Sequence, residues 1–322
     1  VPISVNQPRW SAEYNYYDLK MFLRDHPGGV NTLEMFKGKS VAQVMRKYGH
    51  STSAYHMMRD FKVQDDGLKD VNLTGNVSEN GRIITSEEAA RDESRLDWSK
   101  PMFGQLEAIA PHYEKWVNSA VYRPCRLFAS PFLESLTFTP WYAVPIFWIP
   151  IILYIAWTQY IELNTLRYCF HLLQGVVLWT ILEYTLHRWV FHLDPGTSLT
   201  LIKMHFLLHG IHHKVPFDKL RQVFPPIPAM VLAILLYSPA SLFLPYPRIK
   251  LTGALIGYLI YDMVHFYVHH GSPRDGSYLY AMKRYHSNHH FIALFLRWPT
   301  FDILQINKSN EFKIRAHVRL VP

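Results

Sequence analysis

Twelve of the chain's 18 histidines fall between His187 and His290, in 104 of its 322 residues. They come in four groups: LHRWVFH (His187, His192), HFLLHGIHH (His205, His209, His212, His213), HFYVHH (His265, His269, His270) and YHSNHH (His286, His289, His290). On an α-helix, residues three and four apart share a face. Each H-x-x-H-H run, His209/His212/His213 and His286/His289/His290, is therefore expected to present three imidazoles to one point. His265 and His269 are also four apart. A single histidine on an apolar face is usually a satisfied core residue. Twelve at this density point to metal, for which imidazole is the commonest ligand. Two six-coordinate ions have about twelve positions, which some ten histidines would fill while leaving room for oxygen or water. Structural zinc would need fewer ligands and usually cysteine, and the chain has only two cysteines.

Apolar residues make up 49% of the chain, yet its mean hydropathy is near zero, because long apolar runs alternate with charged ones. That contrast predicts a membrane protein with polar ends. The net charge of +8 is dispersed and edges the apolar runs, which suits basic membrane flanks and argues against a nucleic-acid surface. Cys125 and Cys169 show no pairing pattern, consistent with a reducing, cytosol-facing location. Residues 1–30 lack the apolar core of a signal peptide, and the absence of an initial Met suggests a truncated or processed start.

Two further histidines mark an N-terminal unit ending near residue 65. In YDLKMFLRDHPGGV the run ends at His26-Pro27-Gly28-Gly29, a tight turn that exposes the imidazole and lets a flat ligand approach the backbone. His50 follows 24 residues later in GHSTSAYHMM. These motifs resemble the cytochrome b5 family. The resemblance implies a small α+β domain over residues 1–65, with His26 and His50 as the axial ligands of haem b. Closing both axial positions leaves none for substrate, so such a haem passes electrons and does not activate oxygen. The stretch VPISVNQPRWSAEYNY matches that family poorly, which predicts a missing or altered first strand and an incomplete domain.

Residues 66–97 are polar and aperiodic and read as a linker. Asn72 and Asn76 head Asn-x-Ser/Thr triplets, expected to be chance matches in a cytosolic linker. The aromatic stretch from Trp98 to Glu134 is expected as one or two helices on the membrane surface, with Arg123 and Arg126 facing anionic lipid. A soluble helical connector is the equal alternative.

Four apolar runs follow: Trp141–Thr158, Tyr168–Phe191, Pro226–Tyr246 and Leu251–Val268. Each is about long enough to cross a hydrocarbon core, and the last two form a tight hairpin at Pro245 and Pro247. Four crossings place both soluble ends on one side. Lys203, Lys214, Lys219 and Arg221 in one histidine loop, and Arg274, Lys283 and Arg284 in the other, put that side in the cytosol. His187/His192 and His265/His269 sit at run ends and the other groups lie just beyond. The expected architecture is mainly α: an integral membrane domain, 98–322, whose helices end in a cytosolic histidine cap that a lipid can reach from the bilayer.

The motifs DWSKPMFGQ, YRPCRLF, WYAVPIFWIP, EYTLHRWVFH, HGIHHKVPFD, RQVFPPIPA, GYLIYDMVHFYVHHGSP and KRYHSNHH, spread between Tyr17 and His290, resemble the fatty acid hydroxylase/sterol desaturase superfamily. The likeness is strongest to its acyl 2-hydroxylases, which carry the same cytochrome b5 fusion. The resemblance implies ten metal ligands: His187, His192, His209, His212, His213, His265, His269, His286, His289 and His290. It leaves out His205 and His270, which spacing alone does not exclude. Glu183 and Asp262, within a turn of His187 and His265, are candidates to orient ligand imidazoles. Residues 291–322 do not match the family.

Breaking an unactivated C–H bond needs a strong oxidant made from O2 at a reduced iron pair, fed one electron at a time by a haem domain on a flexible linker. The resemblance implies hydroxylation at carbon 2 of a long acyl chain, free or within ceramide, for 2-hydroxy sphingolipids. It also implies an NAD(P)H-dependent reductase as electron donor and the endoplasmic reticulum membrane as location. Histidine sites also bind zinc, so zinc can occupy the site in isolated protein. The same histidines would serve a related sterol or lipid oxidase or a desaturase, and a non-enzymatic zinc- and haem-binding membrane protein is the remaining alternative.

Overall fold

The computed structural model describes residues 10–12, 15–63, 78–79, 82–83, 86–160 and 164–291. Most of the linker, with Asn72 and Asn76, and residues 292–322 lie outside the described residues. The described chain is mainly helical.

The N-terminal unit begins with a strand pair, β1 (Trp10–Ala12) and β2 (Asn15–Tyr17), antiparallel with Trp10 opposite Tyr17. Tyr17 also bridges to Lys62, and Val63 N–H donates to Tyr16 O, so β2 ties the start of the unit to its end. The poor sequence match predicted a missing or altered first strand; the structure provides one. Three short helices follow, α1 (Val30–Glu34), α2 (Ala42–Lys47) and α3 (Thr52–Met58). Ser51 caps α3 by accepting from Ala54 N–H, which satisfies one of the first-turn donors that a helix leaves orphaned. Tyr17, Leu19, Phe22, Val41, Tyr55, Met57 and Phe61 close the core of this unit.

The expected linker contains structure. A two-stranded pair joins β3 (Ser78–Glu79) to β4 (Arg82–Ile83), and α4 (Ser86–Glu93) runs into the core. Glu93 pairs with Lys214, which is fully buried. The next segment, with α5 (Leu106–Ile109), α6 (Tyr113–Val117) and α7 (Pro131–Ser135), packs against the histidine-bearing elements. Met102, Leu106, Ile109, Tyr113, Trp116 and Val117 pack against Ile202, Phe206, Ile211 and Val215. Tyr113 and Trp116 thus form part of the floor under the second histidine group. Arg123 pairs with Asp60 and stacks on Trp98, and Arg126 donates to Phe128 O and Ala129 O.

Three helices are long and apolar enough to cross a membrane: α8 (Ala143–Tyr160), α9 (Thr165–Thr185, extended to Phe191 by a wider turn) and α13 (Pro247–His270). The fourth expected span, α12, covers Pro226–Ala240. Fifteen residues reach about 22 Å, short of the roughly 30 Å hydrocarbon core. Pro239 stands in its last turn, and the chain leaves the helix there instead of continuing to Tyr246. Along α8, Val144, Trp148 and Ile152 recur at four-residue spacing and meet Ala229, Leu255 and Tyr258. Between α9 and α13 the backbones nearly touch: a Cβ at Gly175 would lie 2.2 Å from Lys250 O, and one at Gly253 would lie 2.0 Å from Leu172 O. Small residues permit this contact, which in lipid replaces hydrophobic burial as the source of packing. The opposite faces carry Ile146, Leu153, Trp157, Leu173 and Ile181 exposed, as lipid-facing surfaces would be.

The remaining elements, α10 (Leu199–His205), α11 (Ile211–Lys214) and α14 (Tyr278–Phe291), close over one end of this bundle. Three of the seven charges used to orient the chain are internal. Lys214, Arg221 and Lys283 are buried, Arg221 against Glu134 and Lys283 on backbone carbonyls.

Candidate metal centre and haem pocket

Local helix geometry brings the histidines together. His187 and His192 are five apart, which on an α-helix would put them on different faces. Leu186–Phe191 instead forms a π turn, closed by His192 N–H donating to His187 O, and the two ring centroids lie 4.7 Å apart. A second π turn, Phe206–Gly210, carries His209. Such turns are uncommon and collect at functional sites. His205, beneath that turn, bonds Tyr113 Oη through Nδ1 at 2.7 Å, and His270 bonds Asp25 at 3.3 Å. Both therefore have partners away from the ten.

The ten imidazoles divide into two groups of five. His187, His192, His209 and His289 offer nitrogens within 4.8 Å of one another, and so do His212, His265, His269 and His286. His213 joins the first group through a 3.1 Å Nε2–Nε2 contact with His209. His290 joins the second, 3.0 Å from His286. The two groups meet where the His213 and His290 rings lie 4.5 Å apart. The spacing argument expected each H-x-x-H-H run to aim at one point; instead each run straddles both groups. Successive residues turn about 100°, so positions i+3 and i+4 fall on opposite sides of position i. The arc serves two centres.

These contacts cannot all be hydrogen bonds. Nε2 of His286 lies 3.2 Å from His265, 2.7 Å from His269 and 3.0 Å from His290, and one imidazole nitrogen has a single lone pair or a single proton. Two nitrogens bound to neighbouring positions of one ion at about 2.1 Å would stand about 3 Å apart, so the donor set fits a metal. The rings are also in the right protonation state. Burial first, and neighbouring imidazoles second, hold His209, His213 and His290 well below the usual imidazole range, which keeps them neutral as ligands must be.

The haem pocket passes a similar test. The His26 and His50 ring centroids are 6.3 Å apart with planes at 14°. An iron held about 2 Å from each facing nitrogen needs about 6 Å between centroids. His26 Nδ1 faces Gly29 O at 3.3 Å and His50 Nδ1 faces Met45 O at 3.1 Å. Donation to those carbonyls would leave each Nε2 free to bind. Gly29 takes φ +85°, and a Cβ on Gly28 would meet His26 Cε1 at 2.7 Å, so both glycines of HPGG have steric reasons. Burial, then His50, lowers His26 to about 4.

Residues 172–298 match the fatty acid hydroxylase family, and residues 7–66 match the cytochrome b5-like heme/steroid binding domain. The chain is 36% identical to fatty acid 2-hydroxylase of Mus musculus over 312 residues, covering 85% of this chain and 83% of that protein. It belongs to the fatty acid 2-hydroxylase family. It is also 29% identical to the ceramide very long chain fatty acid hydroxylase of Saccharomyces cerevisiae, over 85% of this chain and 82% of that one. The solved structure of full-length scs7p, with only the hydroxylase domain visible, superposes with a TM-score of 0.58 at 33% identity, covering 64% of this chain and 80% of that chain. The chain is thus a multi-pass membrane hydroxylase with a fused cytochrome b5-like domain.

Within this hydroxylase fold, the carboxylates singled out from sequence do different work. Glu183 bonds Tyr261, whose ring lies parallel to His265 at 5.8 Å. Asp262 accepts from Phe224 N–H and Tyr258 Oη. The group facing the ligands from behind is Gln222, buried in the RQVFPP motif. Its backbone carbonyl accepts from His265 and its side chain lies against His212. Its amide is itself held by Pro216 O at 2.7 Å. A glutamine between arginine and valine carries no spacing signal, so sequence reasoning missed it.

Proposed function

We propose that this hydroxylase inserts oxygen at carbon 2 of a long acyl chain, free or within ceramide. The ten imidazoles would hold two metal ions, iron in the working enzyme with zinc as an alternative occupant, five to each. Haem b would lie between His26 and His50. Bound there, the iron pair supplies the oxidising power, from O2 and two electrons, that an unactivated C–H bond requires. The chain's own residues do the rest. Five imidazoles per ion leave about one position open on each. Aromatic rings line the site, Phe191 against His187 and His209, Tyr261 against His265 and Phe217 against His269, and would shed water. An acyl chain would reach this end of the bundle along the exposed faces of α8 and α9. An NAD(P)H-dependent reductase would feed the haem, in an endoplasmic reticulum enzyme whose cap faces the cytosol.

The observation that carries the reading is the pair of five-imidazole groups meeting at His213 and His290, in a chain 36% identical over most of its length to a fatty acid 2-hydroxylase. Mass spectrometry of sphingolipids from cells expressing the chain tests it. 2-Hydroxylated species should appear with the wild type and with His112→Ala, and should be lost with His213→Ala or His290→Ala, along with bound metal. Full hydroxylation in His213→Ala, or hydroxylated sterols in place of acyl products, would overturn it.

A further inference from the structure

The haem unit is docked on the metal cap, and the docking face is specific. Asp25, immediately before His26 and 3% exposed, accepts from Tyr122 Oη at 3.1 Å and faces His270 Nδ1 at 3.3 Å. Lys283 donates to His269 O at 3.1 Å and to Gly271 O at 3.0 Å, and also reaches across to Arg24 O at 3.3 Å. One ammonium thus holds the backbone beside a haem-pocket histidine and the backbone of a metal-group histidine. Further along the face, Asp60 pairs with Arg123, Ser53 donates to Asn118 O at 3.2 Å, and Ser53 accepts from Ala120 N–H at 2.9 Å.

Inside this ring of polar contacts runs a line of packed rings. Phe22 stands edge-on to His26 at 5.8 Å and to Phe217 at 5.2 Å. Phe217, in the HGIHHKVPFD motif, stands edge-on to His269 at 6.2 Å. Edge-to-face rings at such separations are in contact, so no gap interrupts the path from haem pocket to metal group. Electron tunnelling decays far more slowly through packed atoms than across open space.

We propose that Phe22 and Phe217 are the bridge through which electrons pass from haem to metal centre, and that they enter the second imidazole group at His269 with the haem unit docked as seen here. The proposal rests on the function given above. Each passage would oxidise one ferrous haem to ferric and deliver one electron to the ion held by His212, His265, His269, His286 and His290, the first electron moving on to the ion of the other group so that two passages would reduce both. The reductase restores the ferrous haem from NAD(P)H. Two passages, with O2 and two protons, turn one C–H bond into C–OH and one water.

The test is stopped-flow spectroscopy of full-length protein loaded with haem and iron, following haem reoxidation when the reduced protein meets O2 and an acyl substrate. Phe217→Leu keeps an apolar filler but removes the ring and should slow reoxidation by at least about tenfold, with the low-spin haem spectrum and metal content unchanged. Phe217→Tyr should retain the rate. Wild-type reoxidation in Phe217→Leu would overturn the bridge. If Phe217→Leu loses metal, Phe22→Leu decides on the same criterion from the haem side. A second arm has a readout that needs no turnover: cysteines at Ser53 and Ala120 should form a cross-link that fixes the docked unit; the locked protein should then reoxidise its haem at the unlocked rate. Failure to cross-link, or loss of reoxidation on locking, would overturn docked transfer. Failure of the wild type to bind haem or metal would refute the underlying function instead.

Discussion

At the scale of single residues, histidine identity was legible in the sequence and histidine partnership was not. The ten proposed ligands lie together, eight in two groups of four with His213 and His290 against them, and His205 and His270 bond Tyr113 and Asp25. No spacing rule names a tyrosine 92 residues away. The same limit hid Gln222. Groups behind metal ligands fix ring orientation, and losing one typically costs about 10–100-fold in metal affinity. We therefore expect Gln222→Ala to lower metal affinity by that order in competition with a chelator, while Glu183→Gln, one bond further from the imidazoles, does so less. Lys214 was read as a cytosolic charge because it follows the second histidine run. It is instead buried against Glu93, Trp116 O and Ser119 O. Burial alone would raise the Glu93 carboxyl, but Lys214 and His56 override it and hold Glu93 at about 2. A depressed carboxyl stabilises the fold above its unfolded pKa and loses that contribution as pH falls, here from about 4.5 toward 2. Lys214→Ala leaves the buried carboxylate without its ammonium, with Trp98 Nε1 and His56 still beside it, and should cost up to about 3–5 kcal/mol, read from denaturation at neutral pH. The deficit relative to wild type should shrink as pH drops through that window. A constant deficit would mean the lysine acts by packing alone.

At the scale of elements, apolar runs located the membrane helices, since length and hydropathy need no tertiary context. They failed for α12, where Pro239 ends a run that hydropathy alone carries on to Tyr246. For 98–134 they left a membrane-surface helix and a soluble connector equal, because an amphipathic aromatic segment looks the same whether its apolar face meets lipid or another helix. The π turns were illegible for a related reason: a one-residue widening is set by what the turn must aim, which lies elsewhere in the chain. The α9–α13 contact turns such local geometry into site geometry, since α9 carries His187 and α13 carries His265 and His269. Gly253→Ala would force a Cβ to within 2.0 Å of Leu172 O. Overpacking of this kind costs about 1–3 kcal/mol or more. The expected outcome is a lower unfolding temperature in detergent together with reduced metal content. Destabilisation with metal retained would mean that the site tolerates a shift between these helices.

At the scale of the whole molecule, the count of spans and the sidedness of the cap are linked by connectivity. The segment before α8 is bound to the cap, through Glu93–Lys214 and Glu134–Arg221, and α9 ends at His187 and His192. One crossing out and one back satisfies both. Beyond the cap, Phe224 is tied to Asp262 on α13, α12 starts at Pro226, and α13 runs from Pro247 to the cap at His270. Because α13 begins at the far end, α12 and the turn after it must carry the chain there, though the helix alone is too short. Leu242 and Phe243, 80% and 83% exposed, suit a turn dipping into the lipid boundary. The prediction is four crossings from three full-length spans, with the docked N-terminal unit on the side of the histidines. Which side that is rests on fewer charges than the sequence suggested, chiefly Lys219 and Arg274, which are exposed, with Lys203 and Arg284 half-buried. From these charges we predict that the cap faces the cytosol. With Cys169 replaced by Ser, a cysteine at Ser272 should react with an impermeant thiol reagent in sealed microsomes, and one at Arg248 should react only after permeabilisation. Labelling of both positions in sealed vesicles would mean that α12 does not cross, and the reverse pattern would turn the protein over in its membrane.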